Sequence, residues 1–461
     1  MIKKVLLLSL VIFMARGIIY AQYTTDNDGQ TYTLERLSKI ENSGVIKESS
    51  QHINIYTLTQ SITISAEDTL TLSDEMTLRC KDGVRITIAG QANIGGEKPI
   101  IFTRASDSDT PDCLFLDTPK GEVSIKNVRF EYMGLMVSDT RQLNLNNCTF
   151  AAHHGQQAAA LYFILGNNKA SVTDCHFEYA QKAAIGSSVT SQAQLDISNC
   201  TFLRNSVANQ NIPQINLSAS EKINITDCSI SGNPANNMVG GIGISNFIGS
   251  ENTQVTIERC HIADNRYGIG TVGPVNIRIL DCTLTDNRYE SDPMNGGSGV
   301  SLYDPYKKTD AYLKGNLIEG SLWGVTIIGC KSVNLGRTSL HDHQAPTYNP
   351  GGNIFRDNGN NGMKYDLYNN STITVYAQGN IWNVTNQTKD EIEKVITHKV
   401  DNSSLGEVIF WPAGTPTGIN LPTQDANIVI RTYTLNGIAI PYGNDYKGIQ
   451  IAGGRKVLIK K

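Results

Sequence analysis

The chain has 461 residues, of which 40% are hydrophobic and 18% charged, with 39 Lys and Arg against 43 Asp and Glu. A net charge of −4 argues against a nucleic-acid partner or an anionic lipid surface, both of which need clustered cations. No apolar run beyond residue 21 reaches 18 residues, so no helical membrane anchor is expected there.

Residues 1–21 have the pattern of a secretory signal: Lys3 and Lys4 at the start, an apolar run from Val5 to Met14, and Ala21 before a predicted cut at Gln22. Its removal takes away Lys3, Lys4 and Arg16 and leaves 36 bases against 43 acids, a net charge of −7. The expected location is secreted, either extracellular or at the cell surface, with the periplasm as the alternative. Residues 22–49 are expected to cap whatever follows, because Leu34, Leu37 and Ile40 lie three apart in LERLSKIE, the spacing of a short amphipathic helix.

From residue 50 to 412 the chain repeats itself. Cys148, Cys175, Cys200, Cys228, Cys260 and Cys282 share the frame apolar-x-[N/D/R]-C-x-[F/I/L], as in LNNCTF, ISNCTF and ITDCSI. Val128 fills the same slot before them, and Asn316, Asn353 and Asn380 fill it after them. The ten copies have a mean period of 28 residues, which with short β-like runs marks a solenoid. Positions −5 and −3 from the slot are mostly apolar, as is +2 (Phe150, Phe177, Phe202, Ile230, Ile262, Leu284), so the alternation changes phase just before the slot.

The bend falls at −1, where nine of the ten residues are Asn, Asp or Gly, the types that tolerate a left-handed backbone; Arg259 is the exception. A second corner is predicted at +5, where Asn205, Asn233, Asn265, Asn287 and Asn358 recur. A third strand of the form G-[I/V/M]-x-[I/L/Y] follows, as in Gly241-Ile242-Gly243-Ile244. Slots on stacked strands are about 4.8 Å apart, beyond the roughly 3.8 Å Cβ separation of a disulfide. The six cysteines therefore predict a ladder of free buried thiols; Cys80 and Cys113 are left open as a bridge.

Near the end, Thr388-Lys389-Asp390-Glu391 fits a capping box for a helix over about 389–399, with Ile392, Val395 and Ile396 as its buried stripe. Residues 413–427 read as a linker. Residues 428–461 read as a small β module with hairpin turns at Asn436-Gly437 and Gly453-Gly454.

Three short strands and three bends per coil define an all-β fold, a right-handed parallel β-helix of about ten to twelve coils. These coils resemble those of the pectate-lyase-like superfamily, and Gly95-Gly96-Glu97-Lys98-Pro99-Ile100-Ile101-Phe102-Thr103 resembles the entry coil of its exported members. The pattern YTLNG, KGIQI, GRKVLIKK is similar to the sorting tails of the type IX export pathway of Bacteroidetes, although only about 34 residues of such a tail are present. The first resemblance implies a polysaccharide or glycan partner, with Ca²⁺ as cofactor only in a lyase and otherwise none. The hydrolase signatures N-T-D, D-D and G-H-G are missing, and His153-His154-Gly155 echoes only part of the last.

Chemistry is therefore sought in two stretches that break the rhythm, Arg288 to Tyr312 and Arg337 to Gly352, because long loops on a rigid scaffold commonly carry function. Glu290, Asp292 and Asp304 are the candidate acid and base; a glycosidase pair needs carboxyls roughly 5 to 9 Å apart. Tyr289, Tyr303, Tyr306, Trp323 and Tyr348 are the candidate sugar contacts, since flat rings suit sugar faces. His341 and His343 are a candidate metal pair without a third ligand at motif spacing. The expectation is a monomeric, non-catalytic glycan-contacting protein, with a divergent lyase or hydrolase and a structural envelope protein as alternatives.

Overall fold

The structure is a computed structural model that describes residues 22–415, apart from 49–53, 74, 219–220, 249–251, 291 and 341, together with four strands between 432 and 459. The leader, most of the linker and both predicted turn dipeptides lie outside the described residues. The chain divides into two units, 1–416 and 417–461.

One coil shows how the sequence builds the first unit. Gln194–Ser198 forms a strand of a long sheet, the chain turns at Asn199, and Thr201–Leu203 forms a strand of a short sheet. It then turns again and enters a third sheet with Ile215–Ser218 before Lys222–Thr226 rejoins the long sheet one rung on. The pairings between coils are parallel and, apart from shifts near Asp117, Lys126 and Gly336, in register, for example Ile197 with Ile225, Phe202 with Ile230 and Ile215 with Ile242. The slot column extends two coils before Val128, through Ile100 to Met76, so the stack has twelve rungs from Met76 to Asn380.

The corner prediction holds at every copy. All ten residues at −1, from Asn127 to Gly379, have φ between +49° and +77°. Arg259 adopts this conformation because its guanidinium reaches one rung back, with Nε and Nη2 donating to the two carboxylate oxygens of Asp227 at 2.7 and 2.8 Å. The second corner differs from expectation. Its left-handed residue sits at +4 (Ala152, Tyr179, Arg204, Asp264, Asp286, Gly320, Asp357), and the Asn at +5 points inward. Asn205, Asn265, Asn287 and Asn358 are buried and hydrogen-bonded between coils, as in Asn265 Nδ2 to Asn287 Oδ1 at 3.1 Å. At the Cys228 coil Asn233 is displaced and Gln214 takes its place, accepting from Asn205 and donating to Asn265 at 3.0 Å.

The interior is a set of columns. Phe102, Phe130, Phe150, Phe177 and Phe202 stack with centroids 4.8–5.2 Å apart, each buried for about 2–3 kcal/mol of transfer free energy. All nine cysteines are free and buried, including Cys80 and Cys113. The thiol column passes into amides where Cys282 N–H donates to Asn316 Oδ1 at 2.9 Å, and Asn316, Asn353 and Asn380 continue it.

Both ends of the first unit are covered. Leu34–Leu37 is a helix capped by Thr33, with Leu34 and Leu37 buried. The buried Asp68 ties down the segment before it by accepting from Thr25 Oγ1 at 2.5 Å and from the N–H groups of Asn27, Asp28 and Gln30. At the other end the helix is Lys389–Glu393, shorter than expected, because Ile396–Thr397 leaves it to pair with Leu367 and Tyr368. Only half of the predicted capping box forms: Thr388 Oγ1 accepts from Glu391 N–H, while the Glu391 carboxylate takes Lys394 Nζ at 2.6 Å. In the second unit, Gly448–Ala452 pairs antiparallel with Arg455–Ile459, and Thr432–Tyr433 with Ala439–Ile440.

Candidate functional site

Strand alternation fixes what the third sheet shows to solvent. Its inward column runs from Tyr23 and Ile62 to Leu367 and Ile396, so the neighbouring residues face out. That outward column reads Thr24, Thr63, Thr87, Phe115, Met136, Tyr162, Gly186, Asn216, Gly243, Gly270, Ser301, Thr326, Tyr368 and Thr397. The parallel column two residues on reads Ser218, Ser245, Val272, Tyr303 and Ile328.

The small residues in this lane are expected to leave an open floor. Instead, they seat an aromatic ring. A Cβ at Gly240 would lie 2.2 Å from Tyr267 Cζ, one at Gly270 3.0 Å from its Cε2, and one at Gly243 3.2 Å from its hydroxyl and 2.7 Å from Pro213 Cγ. The half-buried ring of Tyr267 therefore lies on the glycines, and burial pushes its pKa up to about 12. A second aromatic cluster stands about 10 Å further along, two rungs on. There Trp323 packs on Tyr365 at 4.5 Å and on Tyr368 at 5.6 Å, with its Nε1 donating to Pro293 O at 2.9 Å.

The loop from Arg288 to Gly297 forms one wall. Arg266 holds it: Nε lies 2.9 Å from Glu290 Oε2, and the guanidinium donates to Asn211 Oδ1 and to Asn295 O. This largely buried pair ties together three loops, those around Asn211, Arg266 and Glu290. Asp292 is exposed and braces its own turn, accepting from Met294 N–H at 3.0 Å and Asn295 Nδ2 at 3.1 Å.

Asp304 is fully buried and accepts from the N–H groups of Tyr306, Lys308 and Thr309 at 2.9, 2.7 and 2.7 Å. The supposed insertion from Arg288 to Tyr312 is in fact two turns separated by the strand Ser298–Asp304. Asp304 thus stands about 20 Å from the Glu290 loop, the length of seven extended residues, and cannot share a glycosidic bond with it.

The other candidates scatter. Tyr303, 39% exposed, faces out beside Ser301 and lines the lane with Trp323. Tyr306 projects from the turn after Asp304. Tyr289 lies at the second corner, donating to Asp264 Oδ1 at 3.3 Å. Tyr348 belongs to the loop after Ser332–Gly336, which folds against the long sheet: Asn334 Nδ2 donates to Thr347 O at 2.8 Å and Tyr312 Oη to Tyr348 O at 3.4 Å. The two loops expected to meet therefore leave the coil at different corners, one before the short sheet and one after it. His343 is exposed and stacks on Tyr348 at 4.4 Å, while His341 lies outside the described residues.

His153 is buried beside Gln157, and burial pushes its pKa down to about 4, so it stays neutral. His176 and His261 are three rungs apart on the short sheet. Asp174, Asp227 and Asp281 are corner residues alternating with Asn199 and Arg259, and no three metal-binding side chains cluster among the described residues. Sequence reasoning missed Arg266, Tyr365 and Tyr368. Tyr368 was accessible from alternation, since it follows the inward Leu367; Arg266 and Tyr365 lie in loops without period.

Residues 163–335 match the family model described as the right handed beta helix region, and with the parallel registers this defines the chain as a right-handed parallel β-helix. Among solved structures it is similar to the periplasmic alginate epimerase AlgG, at 10% identity and TM-score 0.48 over 83% of each chain. It is also similar to the A-module of the Azotobacter vinelandii mannuronan C-5 epimerase AlgE4, at 14% identity and TM-score 0.31 over 79% of this chain and 90% of that one. No curated protein matches the sequence.

Proposed function

We propose that the protein is an exported β-helix that contacts polysaccharide along the outer face of its third sheet without cleaving it. The observation that carries this reading is the spacing of aromatic surfaces on a rigid floor. Tyr267 lies over Gly243 and Gly270, and the Trp323–Tyr365–Tyr368 cluster follows two rungs on. The lane from Tyr162 to Tyr368 spans seven rungs, about 34 Å, room for several linked sugars. Rings held by packing cost little entropy to order against a ligand.

The non-catalytic half of the reading is supported by how the three candidate carboxylates are used. Glu290 is paired with Arg266, Asp292 braces its turn, and Asp304 is enclosed by backbone amides. The leader at residues 1–21 supports export, and the tail from Tyr433 to Lys461 supports a type IX route to the surface; no cofactor is required for contact of this kind.

The test is incubation of the mature protein with a polysaccharide panel, scored by affinity electrophoresis and by assay of new reducing ends and unsaturated products. Retardation without products is expected. Products that disappear in Glu290→Gln or Asp292→Asn would overturn the non-catalytic reading.

A further inference from the structure

The chemistry of the lane goes further than the shape. None of the fourteen residues in the outward column from Thr24 to Thr397 is charged, and neither is any in the column from Ser218 to Ile328. The other two outer faces of the same coils are different. The long sheet shows Lys169, Asp196, Lys222 and Arg278, and the short sheet shows Arg129, Glu131, Glu178 and Arg356. Charge is therefore available in this repeat; the third-sheet face carries it as carboxylates, Asp117 and its rung neighbour Asp139 two positions beyond Phe115, and the two columns named carry no cation.

Of the cations that border the lane, the two arginines are ion-paired, and the two lysines are tethered to backbone carbonyls and keep their charge. Arg85 pairs with Asp112 at 2.5 Å and Arg266 with Glu290 at 2.9 Å, while Lys182 and Lys364 donate to the carbonyls of Gln156 and Asn383 at 3.0 and 2.8 Å. Lys307 and Lys308 stand in the turn beyond Asp304, past the end of the strand.

We infer that the polysaccharide is a neutral one. This rests on the reading of the third-sheet face as a glycan contact and names its ligand class. A polyuronate would carry a carboxylate on each sugar onto floor columns that hold no cation, and burying an unpaired charge is costly. The mature chain's net charge of −7 adds long-range repulsion. A neutral glycan meets what the face offers: apolar ring faces on Tyr267 and Trp323, and uncharged hydrogen-bonding groups on Asn216, Ser245 and Ser301.

The experiment is affinity electrophoresis and calorimetry of the mature full chain against neutral polysaccharides (β-glucan, xylan, mannan) and polyuronates (polygalacturonate, alginate), at roughly 20 and 300 mM NaCl. A neutral member is expected to bind at least about tenfold more tightly than either polyuronate, with an affinity that salt leaves unchanged. Tyr267→Ala and Trp323→Ala are expected to weaken it by about tenfold or more, with circular dichroism confirming that both variants fold. Equal or preferential binding of a polyuronate, falling as salt rises, would overturn the neutral-ligand inference while leaving the glycan-contacting face intact. If neither class binds, the reading of the face itself fails.

Discussion

Replacing Asn353 tests the stacked-column account where the thiol ladder has become an amide ladder. Asn353 is fully buried; its Oδ1 accepts from Asn316 N–H at 3.1 Å and Asn316 Nδ2 at 2.8 Å. Its Nδ2 is shared among Leu313 O, Leu335 O and Asn380 Oδ1 at 2.9 to 3.1 Å. Alanine leaves the Asn316 N–H without its partner, whereas Asn316 Nδ2 keeps Ile279 O and Leu313 O keeps Asn349 Nδ2. One orphaned buried donor at about 1–3 kcal/mol, with the net loss of the remaining bonds, gives about 3–5 kcal/mol in total. Cysteine should cost about 1–3 kcal/mol, because a sulfur in this slot accepts a backbone N–H elsewhere in the column: Cys148 N–H reaches Cys175 Sγ at 3.4 Å and Cys260 N–H reaches Cys282 Sγ at 3.5 Å. The assay is urea unfolding followed by tryptophan fluorescence, since all three tryptophans (Trp323, Trp382 and Trp411) lie in the C-terminal coils around this rung. Equal cost for Ala and Cys, or a cost below about 0.5 kcal/mol for Ala, would refute the inter-rung role of the amide.

Two buried carboxyls should give pH effects of opposite sign. Burial pushes the Asp366 carboxyl up to about 7, so the native state binds its proton more tightly than the unfolded chain; stability should fall as pH rises from about 4 to 7, and Asp366→Asn should gain about 1–3 kcal/mol at pH 8 by urea unfolding. Burial of Asp68 is outweighed by hydrogen bonds from the Thr25 hydroxyl and the N–H groups of Gln30 and Asn27, which hold its pKa below the usual carboxylate range. That stability is present above about pH 4 and lost as pH falls below it, so amide exchange around Tyr32 and Leu34 should accelerate in acid first, and Asp68→Asn should show fast exchange there already at pH 7. Arg259→Asn should change stability by less than about 1 kcal/mol, because relief of a strained left-handed Arg offsets the loss of a half-exposed pair with Asp227; a loss above about 2 kcal/mol in urea unfolding would show that the pair is worth more than surface pairs usually are.

The columns were legible because each is a one-residue rule repeated every coil. Parallel in-register stacking forces the same environment on the same slot, so Phe150, Phe177 and Phe202 declare one interior column and the ten residues from Asn127 to Gly379 one backbone conformation. The second corner was misplaced by one residue for a physical reason. A recurring Asn has two explanations, a left-handed corner or a buried amide ladder, and sequence alone does not separate them; at +5 the ladder won, and the left-handed residue at +4 is chemically mixed. The C-terminal helix was overextended because the 3.6-residue stripe of Ile392, Val395 and Ile396 is satisfied equally by a short helix followed by a strand that rejoins the third sheet.

The aromatic candidates were read from composition, as rings gathered in and beside the Arg288–Tyr312 stretch, and the structure places two of them, Tyr303 and Trp323, on strands of the third sheet. The alternation rule applied to Leu367 adds Tyr368, which packs on Trp323. The surroundings of the carboxylates were not legible, because loop side chains answer to local backbone demands that have no period. An Asp beside Pro-Tyr-Lys-Lys-Thr is as well suited to collecting three amides in a turn as to catalysis, and Asp304 collects them. What the strands contribute instead is a negative property, an outward column without charge over fourteen rungs, and such a property emerges only once register assigns each residue to a face. A lane whose two floor columns carry tyrosine hydroxyls but no carboxylate, histidine, lysine or arginine has few groups with which to move a proton, and that is the physical basis of the proposed contact without cleavage.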